Sequence, residues 1–445
     1  MRPSVLFVAP SAYLLSGLAT WLEYLTPGLE RCGWDAKLCL VSGRRHHLPE
    51  PYLADHPATN ALIAHCDTDT PVGRRRAIEK VLQEAKPDIA ISVNIPDLFV
   101  AMDNLRASGK GGKSRAILSV HGIERFLYSD MQHFGGILDG VVCTNQLSRA
   151  LSTSLGAVSE DRVLYAAYGV PERKHPVAKS FDGRLNIVCC GRLETPQKCC
   201  MDLVSIVAGL RARGVPFRLD VVGDGPDRPQ LQTMLANEIA DGSVVMHGYV
   251  SADDLDTRIY PDAHALILTS SWETGPIVVW EAMAHGVCVV SSRYVGSGLE
   301  QALEDGSNAL LFDIGDTDSA VQSLERLWHD AGLRECLIEG GKQLVEQRYS
   351  IQASVEAWDR ALKQVLVSEP ATAVRLTAPP VKGRLDKLCG LELAESLREL
   401  LGRQSPLAND PGGEWPHSHS GVVSDDAFWE LARACDGIHA GNPVA

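Results

Sequence analysis

The sequence lacks any run of about 18 consecutive apolar residues, which is the length that a membrane-spanning helix requires. We therefore expect any contact with a membrane to be peripheral. The first residues, MRPSVLFVAPSAYLLSG, contain a short apolar run that Pro10 interrupts, and no convincing cleavage site follows it. This segment predicts a buried first strand and not a secretion signal.

The chain also has fewer basic than acidic residues, and its cysteines are not regularly spaced. The 42 lysines and arginines are outnumbered by 56 aspartates and glutamates, which gives a formal net charge of -14. Such a chain repels a phosphate backbone, so we expect no nucleic-acid partner. The 12 cysteines show no disulfide spacing in a chain of 445 residues, and we expect reduced thiols. We predict a cytoplasmic protein, with peripheral attachment to the inner face of the membrane as an open alternative.

Motifs for dinucleotides and metals are incomplete. In VVGDGPDRPQL, Gly223 and Gly225 are not followed by the third glycine of a dinucleotide fingerprint, so NAD is poorly supported. An Asp-x-Asp metal motif occurs at residues 67–69, in an early loop far from the other motifs. Cysteine pairs at 189–190 and 199–200 suggest zinc as a rival interpretation, but adjacent strand residues point to opposite faces. We expect no metal site.

Short apolar runs alternate with longer helical patterns along most of the chain. The runs are SVLFVAP, DAKLCLVSG, PDIAISV, AILSVHG and VVCTN, then LNIVCCGR, FRLDVVGDG, VVMHGYV, HALILTSS and CVVSS. This alternation predicts an α/β fold in which helices cover both faces of parallel sheets. We expect two Rossmann-like doubly wound domains facing a central cleft, with ligands at the carboxyl ends of the strands.

The domain boundaries follow from where this periodicity lapses, and the clearest lapse lies at Gly169–Gly183. We predict an N-terminal domain at 1–175, a second domain at 184–348, a helix crossing back at 349–368 and an extension at 369–445. In the extension, RLDKLCGLELAESLRELLGR repeats leucine at helical intervals and predicts one amphipathic helix among loops. That helix could pack on the body, on a partner, including a second copy, or on a membrane.

The stretch SSWETGPIVVWEAMAHGVCVVSS carries two carboxylates, Glu273 and Glu281, within an apolar run. Pro276 suits the first position of a helix that ends at Gly286. Residues 273–275 would then form a turn at a strand end, beside the free N–H groups of the helix start, which favour an anion. A nucleotide sugar has the hydroxyls and the phosphate that such a site suits. The structural alternative is a capping acid followed by a solvated one.

A second candidate cluster lies in CCGRLETPQKCCMDL, where a buried strand leads to Arg192 and Lys198. Cations at a strand end are well placed to hold a leaving diphosphate, arginine through a bidentate fork and lysine as a compact charge. The alternative is an ordinary surface pair with Glu194.

Two further positions follow strands in the first half of the chain. His121 in SVHG could be a core histidine or could donate a hydrogen bond to a sugar hydroxyl or a phosphate. Gly17 lies between the first strand and a helix, where its backbone could approach a phosphate closely because glycine has no Cβ.

Taken together, these motifs resemble those of the GT-B nucleotide-sugar glycosyltransferases of the family-4 type, which are retaining enzymes. The resemblance covers residues 4–366 and is most specific in ETGPIVVWE, where seven residues separate two glutamates. GRLETPQK, VVGDGPDRPQL and SVHG support it in that order. The sequence departs from the family pattern at Ser16, where many relatives have glycine, and at Thr274, where glycine commonly follows the first glutamate.

The resemblance implies roles for individual residues. Glu273 would hold hydroxyls of the transferred sugar, Glu281 would hold the ribose, and Arg192 with Lys198 would hold the diphosphate. The residues predicted as catalytic are Arg192, Lys198, Glu273 and His121. Those predicted to bind substrate are Gly17, Gly223, Thr274, Gly275, Pro276, Ile277 and Glu281.

The resemblance further implies a metal-independent, retaining glycosyltransferase without a separate cofactor. We favour a UDP-sugar over a GDP- or ADP-sugar as donor, with a small-molecule, glycan or lipid-linked acceptor. An inverting GT-B transferase, a sugar-nucleotide epimerase and an inactive nucleotide-sugar-binding protein are the alternatives.

Basic segments at Gly43–His47, Gly73–Lys80 and Lys110–Arg115 could be solvated surface or could contact an anionic membrane or a phosphorylated acceptor.

Overall fold

The structure is a computed structural model that describes residues 2–10, 17–42, 49–55, 61–68, 70–156, 158–172, 179–376, 383–402 and 424–437. The basic segment Gly43–His47, Ser16 and the middle of the predicted hinge lie outside these ranges. The chain forms two compact units. Unit 1 comprises Met1–Thr144, Ser148–Ala166 and Val355–Asp425, and unit 2 comprises Asn145–Leu147, Ala167–Ser354 and Asp426–Ala445.

Unit 1 contains a parallel sheet of seven strands in the order β3-β2-β1-β4-β5-β6-β7. The strands are β1 (Ser4–Pro10), β2 (Asp35–Val41), β3 (Ala61–Ala64), β4 (Ile89–Val93), β5 (Arg115–Val120), β6 (Gly140–Cys143) and β7 (Val163–Tyr165). Their residues are almost all apolar because helices cover both faces of the sheet. In β4, for example, every residue is buried.

The helices before the second sheet follow the strands in alternation. They are α1 (Gly17–Arg31), α2 (Pro49–Asp55), α3 (Pro71–Ala85), α4 (Asp97–Ala107), α5 (Arg125–Phe134) and α6 (Gln146–Leu155), with a short 3₁₀ turn at Glu160–Arg162. Helix α3 shows why such helices start where they do. Thr70 caps it by accepting a hydrogen bond from the backbone N–H of Gly73, and Pro71 occupies the first turn.

Unit 2 contains a parallel sheet of six strands in the order β10-β9-β8-β11-β12-β13. The strands are β8 (Leu185–Cys190), β9 (Phe217–Val222), β10 (Val244–Gly248), β11 (Ala265–Leu268), β12 (Cys288–Ser292) and β13 (Ala309–Phe312). Its core includes Val221, Ile267 and Val290, each at most 1% exposed. The predicted class, two doubly wound α/β units, is confirmed.

The remaining helices follow along the chain, with those between Thr195 and Leu344 in unit 2 and the helix at Ile351–Leu366 leading into the extension. They are α7 (Thr195–Lys198), α8 (Asp202–Ala212), α9 (Arg228–Met234), α10 (Ala236–Ala240), α11 (Ala252–Asp254), α12 (Tyr260–Asp262), α13 (Ile277–Ala284), α14 (Thr317–His329), α15 (Ala331–Leu344), α16 (Ile351–Leu366), α17 (Arg384–Cys389), α18 (Leu391–Leu401) and α19 (Asp425–Asp436). Two π-helical turns lie at Leu255–Ile259 and Val345–Tyr349. No helix in the described ranges has the length and apolar character needed to cross a membrane.

The extension differs from the prediction of one amphipathic helix among loops. Gly390 adopts a positive φ of 80°, and this separates α17 from α18. The apolar face is also inverted, since Leu393 and Leu400 are 56% and 81% exposed whereas Glu395 is fully buried. A third helix, α19, occupies a segment whose first residues we expected to form a loop. The prediction of a single helix is therefore wrong.

Buried polar contacts explain how α18 packs on unit 1. The carboxylate of Glu395 accepts hydrogen bonds from the hydroxyls of Thr68 and Thr70, the latter at 2.7 Å. On the surface beside them, Arg75 and Arg76 pair with Glu392 at 2.5 and 2.9 Å. Two arginines of the basic segment Gly73–Lys80 thus hold the extension, and they are not simply solvated.

Candidate active site

The site in unit 2 forms because two strands end side by side. Strand β8 pairs in parallel with β11, with Ile187 opposite Ala265 and Val188 opposite Leu266. The segments that follow these strands therefore emerge at the same edge of the sheet. One carries Arg192 and Lys198, and the other carries Glu273.

Lys198 and Glu273 are in direct contact. The Lys198 Nζ donates to Glu273 Oε1 at 2.5 Å, and the Ser270 hydroxyl donates to the same oxygen at 2.6 Å. Glu273 is only 5% exposed, so its charge depends on these two partners. The backbone carbonyl of Lys198 also accepts from the Thr269 hydroxyl at 2.7 Å, which ties the two segments together. The structure thus brings together two residues that are 75 positions apart.

Gln197 is a residue of this site that the sequence reasoning missed. Its carbonyl accepts from the backbone N–H of Ser271 at 2.7 Å, and its side-chain amide donates to the Trp272 carbonyl at 3.1 Å. It therefore fixes the strand end that leads to Glu273. The only available signal was its place in the sequence, directly before Lys198.

Arg192 lies at the open side of this cluster. Its side chain is 58% exposed, its Nε lies 2.9 Å from a Glu194 carboxylate oxygen, and one terminal nitrogen donates to Gln197 at 3.2 Å. The pair with Glu194 that we considered as the structural alternative is thus present. Arg192 and Lys198 also line one small cavity with Thr269 and Ser270. The contact of Arg192 with a diphosphate stays a prediction.

The turn after Glu273 leads into α13. Gly275 has a φ of 116°, a conformation that favours glycine. Pro276 is in an extended conformation and caps the helix, so α13 begins at Ile277 and not at the proline as predicted. At the other end, Gly286 has a φ of 65°, which agrees with its predicted place after the helix. Thr274, Gly275, Pro276 and Ile277 are placed as a turn and helix start, and their contacts with a substrate stay predictions.

Glu281 occupies a different environment from Glu273. The Tyr260 hydroxyl donates to Glu281 Oε2 at 3.0 Å, and Tyr260 also interacts with the thiol of Cys190, the last residue of β8. Burial raises the pKa of Glu281 to about 7, although the hydrogen bond from Tyr260 opposes this. Glu281 is therefore a carboxyl group that changes its charge near neutral pH. Tyr260 was not predicted from the sequence.

Gly223 supports the turn that precedes Arg192. A Cβ at this glycine would lie 1.9 Å from the carbonyl oxygen of Gly191, so no other residue fits without movement. The turn after β9 thus packs directly on the turn after β8. This accounts for the glycine structurally, and a contact between Gly223 and a substrate stays a prediction.

The remaining predicted residues, His121 and Gly17, belong to unit 1. His121 follows β5, its ring lies 4.9 Å from the ring of Trp21, and its Nε2 contacts the Ser119 hydroxyl. Burial lowers the pKa of His121 to about 3, so the imidazole is neutral at physiological pH. Gly17 is the first residue of α1. The catalytic role of the histidine and the phosphate contact of the glycine stay predictions.

Three or more His, Cys, Asp or Glu side chains arranged for a metal ion are not found in the described part of the chain. The central residue of the Asp-x-Asp segment, Thr68, makes a structural contact: its hydroxyl donates a hydrogen bond to the carboxylate of Glu395 in the extension. Asp69 lies outside the described residues.

Comparison with solved structures identifies the fold as GT-B. The chain is similar to the lipopolysaccharide outer core galactosyltransferase WaaB, with a TM-score of 0.63 and 18% identity over 81% of this chain and 99% of that one. It is similar to HepE from Anabaena, solved with UDP and glucose, with a TM-score of 0.65 and 16% identity over 81% and 99% of the two chains. At these identities the likeness concerns the fold.

Sequence comparison finds related glycosyltransferases. Residues 184–330, a stretch that contains Arg192, Lys198, Glu273 and Glu281, match the family model described as "Glycosyl transferases group 1". The chain is 30% identical over 151 residues to the lipopolysaccharide core biosynthesis glycosyltransferase LpsE of Rhizobium meliloti, which is 34% of this chain and 42% of that protein. It is 26% identical over 257 residues to the lipopolysaccharide 1,6-galactosyltransferase of Salmonella typhimurium, 55% and 67% of the two chains. The match to the first of these relatives thus spans less than half of its length.

Proposed function

We propose that this protein transfers a sugar from a nucleoside diphosphate sugar to an acceptor hydroxyl with retention of the anomeric configuration. The observation that carries the proposal is the contact between Lys198 and Glu273, together with the small cavity that Lys198 and Arg192 both line. A cation beside a carboxylate suits a ligand with a diphosphate and a hydroxyl-bearing ring, because the cation pairs with phosphate and the carboxylate accepts from hydroxyls.

In the proposed reaction, the bond between the anomeric carbon and the diphosphate oxygen breaks and its electron pair stays on the diphosphate. The acceptor oxygen forms the new bond on the same face, and its proton passes to the departing diphosphate. Arg192 and Lys198 would stabilise the negative charge that develops on the leaving group. Lys198 has three N–H donors, so it can keep its bond to Glu273 while it binds phosphate.

Glu273 and Glu281 would bind different parts of the donor. Glu273 is ion-paired, so as an ionised acceptor it suits hydroxyls of the transferred sugar. Glu281 would accept hydrogen bonds from the ribose, which requires its ionised form. Because the pKa of Glu281 is raised to about 7, we expect donor binding to weaken in mildly acidic solution.

The nature of both substrates is supported by the similar proteins. HepE was solved with UDP-glucose and the pneumococcal O-GlcNAc transferase GtfA with UDP and GlcNAc, which supports our preference for a UDP-sugar donor. The lipopolysaccharide-related names of LpsE and the Salmonella galactosyltransferase support a glycan or lipid-linked acceptor. We propose a cytoplasmic enzyme that works without a metal ion and meets such an acceptor at the membrane surface.

The proposal is tested by a thermal-shift panel of UDP-, GDP-, ADP- and dTDP-sugars, followed by donor turnover with the sugar that stabilises the protein most. We expect Arg192→Ala to fold normally and to lower kcat by about 30- to 1000-fold, equivalent to about 2–4 kcal/mol, because the contact strengthens in the transition state. Arg258→Ala is the matched control, because Arg258 is an exposed arginine of the same unit that pairs only with Asp254 among the described ion pairs.

Unchanged turnover in Arg192→Ala would remove this arginine from the mechanism. Proton NMR of the product separates the enzyme alternatives, since an inverted anomer or an epimerised donor would contradict retaining transfer. Binding without any turnover or donor hydrolysis would favour the inactive nucleotide-sugar-binding protein.

A further inference from the structure

The last helix of the extension, α19, packs on unit 2 and ends in a buried carboxylate. Asp436 is 3% exposed and accepts three backbone hydrogen bonds from one short loop. The donors are the N–H groups of Gly296 at 2.7 Å, Gly298 at 3.1 Å and Leu299 at 2.8 Å. Three amides directed at one carboxylate form an anion-binding nest, which the chain fills with its own side chain.

Two glycines show that this loop is shaped for close contact on two sides. A Cβ at Gly298 would lie 1.9 Å from the carbonyl oxygen of Asp436. A Cβ at Gly296, which has a φ of 110°, would lie 2.1 Å from the carbonyl oxygen of Glu273. The loop at 296–299, which we call the nest loop, therefore touches α19 at one glycine and the backbone of Glu273 at the other.

The segment before the nest loop is also hydrogen bonded to the strand end that carries Glu273. The N–H of Glu273 donates to the Val295 carbonyl at 3.0 Å, and the N–H of Val295 donates to the Ser271 carbonyl at 2.9 Å. A shift of the nest loop would consequently be passed to Glu273 through its own backbone.

Helix α19 makes a second contact with this region. The ring of Trp429 lies 4.7 Å from the ring of Trp272, at an interplanar angle of 49°. Trp272 directly precedes Glu273, and its carbonyl already accepts a hydrogen bond from Gln197. Helix α19 thus contacts both segments that fix the backbone of Glu273, the nest loop through Asp436 and the β11 end through Trp429.

The far end of the nest loop has an anchor within the unit itself. The carboxylate of Glu300 accepts from Arg348 at 2.9 Å and from the Tyr349 hydroxyl at 2.7 Å. Because Arg348 and Tyr349 lie outside the extension, loss of Asp436 should loosen residues 296–299 without unfolding the unit. The nest amides would then lose the carboxylate that they face, which carries a free-energy cost.

We propose that Asp436 and Trp429 are positioning residues for Glu273, through which the C-terminal extension completes the sugar-binding part of the donor site. The proposal rests on the function proposed above. The solved structures named above match 81% of this chain and 99% of their own, so part of this chain has no counterpart in them. The extension would act on recognition of the sugar, because the contacts of α19 described above reach the backbone of Glu273 directly and reach Arg192 and Lys198 only through it or through Gln197.

The first test is hydrogen–deuterium exchange of the full-length protein without ligand. In Asp436→Ala we expect faster exchange in peptides covering 295–300 and also in those covering 270–276. Glu430→Gln on the same helix is the matched control, because it removes one exposed carboxylate, and it should leave both segments unchanged. Faster exchange confined to α19 and the nest loop would overturn the positioning role.

The second test separates sugar from nucleotide recognition with UDP and UDP-glucose as probes. We expect Asp436→Ala to weaken UDP-glucose by about tenfold, whereas UDP changes by less than about twofold. Asp436→Asn, which keeps one acceptor oxygen, should give an intermediate loss. An equal change for both probes, or none, would contradict the proposal.

A wild-type protein that binds neither probe would count against the proposed donor and not against positioning. In that case the exchange experiment alone decides whether α19 controls the segment that carries Glu273.

Discussion

The two glutamates of the ETGPIVVWE motif are eight positions apart but are held in opposite ways. At the end of β11, Glu273 has a cationic partner, Lys198, at 2.5 Å. Inside α13, Glu281 accepts a hydrogen bond from a hydroxyl, that of Tyr260, at 3.0 Å. An opposite charge favours the ionised carboxylate, whereas burial disfavours it, and at Glu281 the hydrogen bond from Tyr260 opposes the effect of burial without cancelling it.

The difference shows that one motif can supply two kinds of acceptor. The turn after the strand places its carboxylate next to a cation, 2.5 Å away. The helix interior holds a carboxyl group that titrates near neutrality, with a pKa of about 7. Substitution of Lys198 removes the first environment, and a change of pH tests the second.

The largest effect is expected from Lys198→Ala, which leaves the carboxylate of Glu273 buried without its cation. We expect kcat to fall by about 10²- to 10³-fold and the free energy of unfolding to fall by up to about 3–5 kcal/mol. Steady-state kinetics and chemical denaturation would measure the two losses.

A matched double variant separates these losses. Lys198→Met combined with Glu273→Gln removes both charges, so it should recover most of the stability and none of the activity. A Lys198→Ala protein with wild-type stability would contradict the idea that Glu273 depends on this cation.

The second prediction concerns the pH dependence of Glu281. Its pKa is raised from 4.5 to about 7, so between these values the folded state keeps a proton that the unfolded state releases. This contribution to stability is fully present below about pH 4.5 and is lost as the pH rises through about 7. Glu281→Gln should remove this slope from the free energy of unfolding measured between pH 5 and 8.

Donor binding should show the opposite trend, because the ribose needs the ionised carboxylate. We expect the affinity for UDP-glucose to rise by about tenfold between pH 6 and 8 in the wild type and to stay flat in Glu281→Gln. UDP-glucose is the suitable probe because its diphosphate diester does not titrate in this range. An identical profile in the variant would exclude Glu281 as the titrating group.

The smallest effect is expected from Tyr260→Phe, which removes one hydroxyl next to Glu281. The loss of a single hydrogen bond should cost about 0.5–1.5 kcal/mol of stability. Since that hydrogen bond lowers the pKa of Glu281, its removal should move the midpoint of donor binding to higher pH. Tyr249→Phe, at a tyrosine that is 54% exposed, provides the control, and an unmoved midpoint would argue against the contact.

Much of the fold and part of the site could be predicted because the signals are local. Short apolar runs followed by glycine-rich turns determine parallel strands and their carboxyl ends, and Arg192, Lys198 and Glu273 each lie just after such a run. The family motif then supplied the pairing of strand ends that the sequence alone does not specify. The contact between Lys198 and Glu273 is consistent with that pairing.

The residues that were missed depend on long-range contacts. Tyr260 lies in a three-residue helix, and nothing in its sequence neighbourhood indicates Glu281 as a partner. Glu395 is a charged residue on an apparently solvent-facing stripe, yet it is fully buried because Thr68 and Thr70 bind its carboxylate. Periodicity assigned the leucines of α18 to a packed face, whereas tertiary hydrogen bonds determine the face that is buried.

The most direct test of the central claim is a crystal structure of the protein with UDP-glucose. We predict that the diphosphate contacts Arg192 and Lys198 and that hydroxyls of the glucose donate to Glu273. A donor bound elsewhere, with Glu273 and Lys198 still facing only each other, would contradict the account.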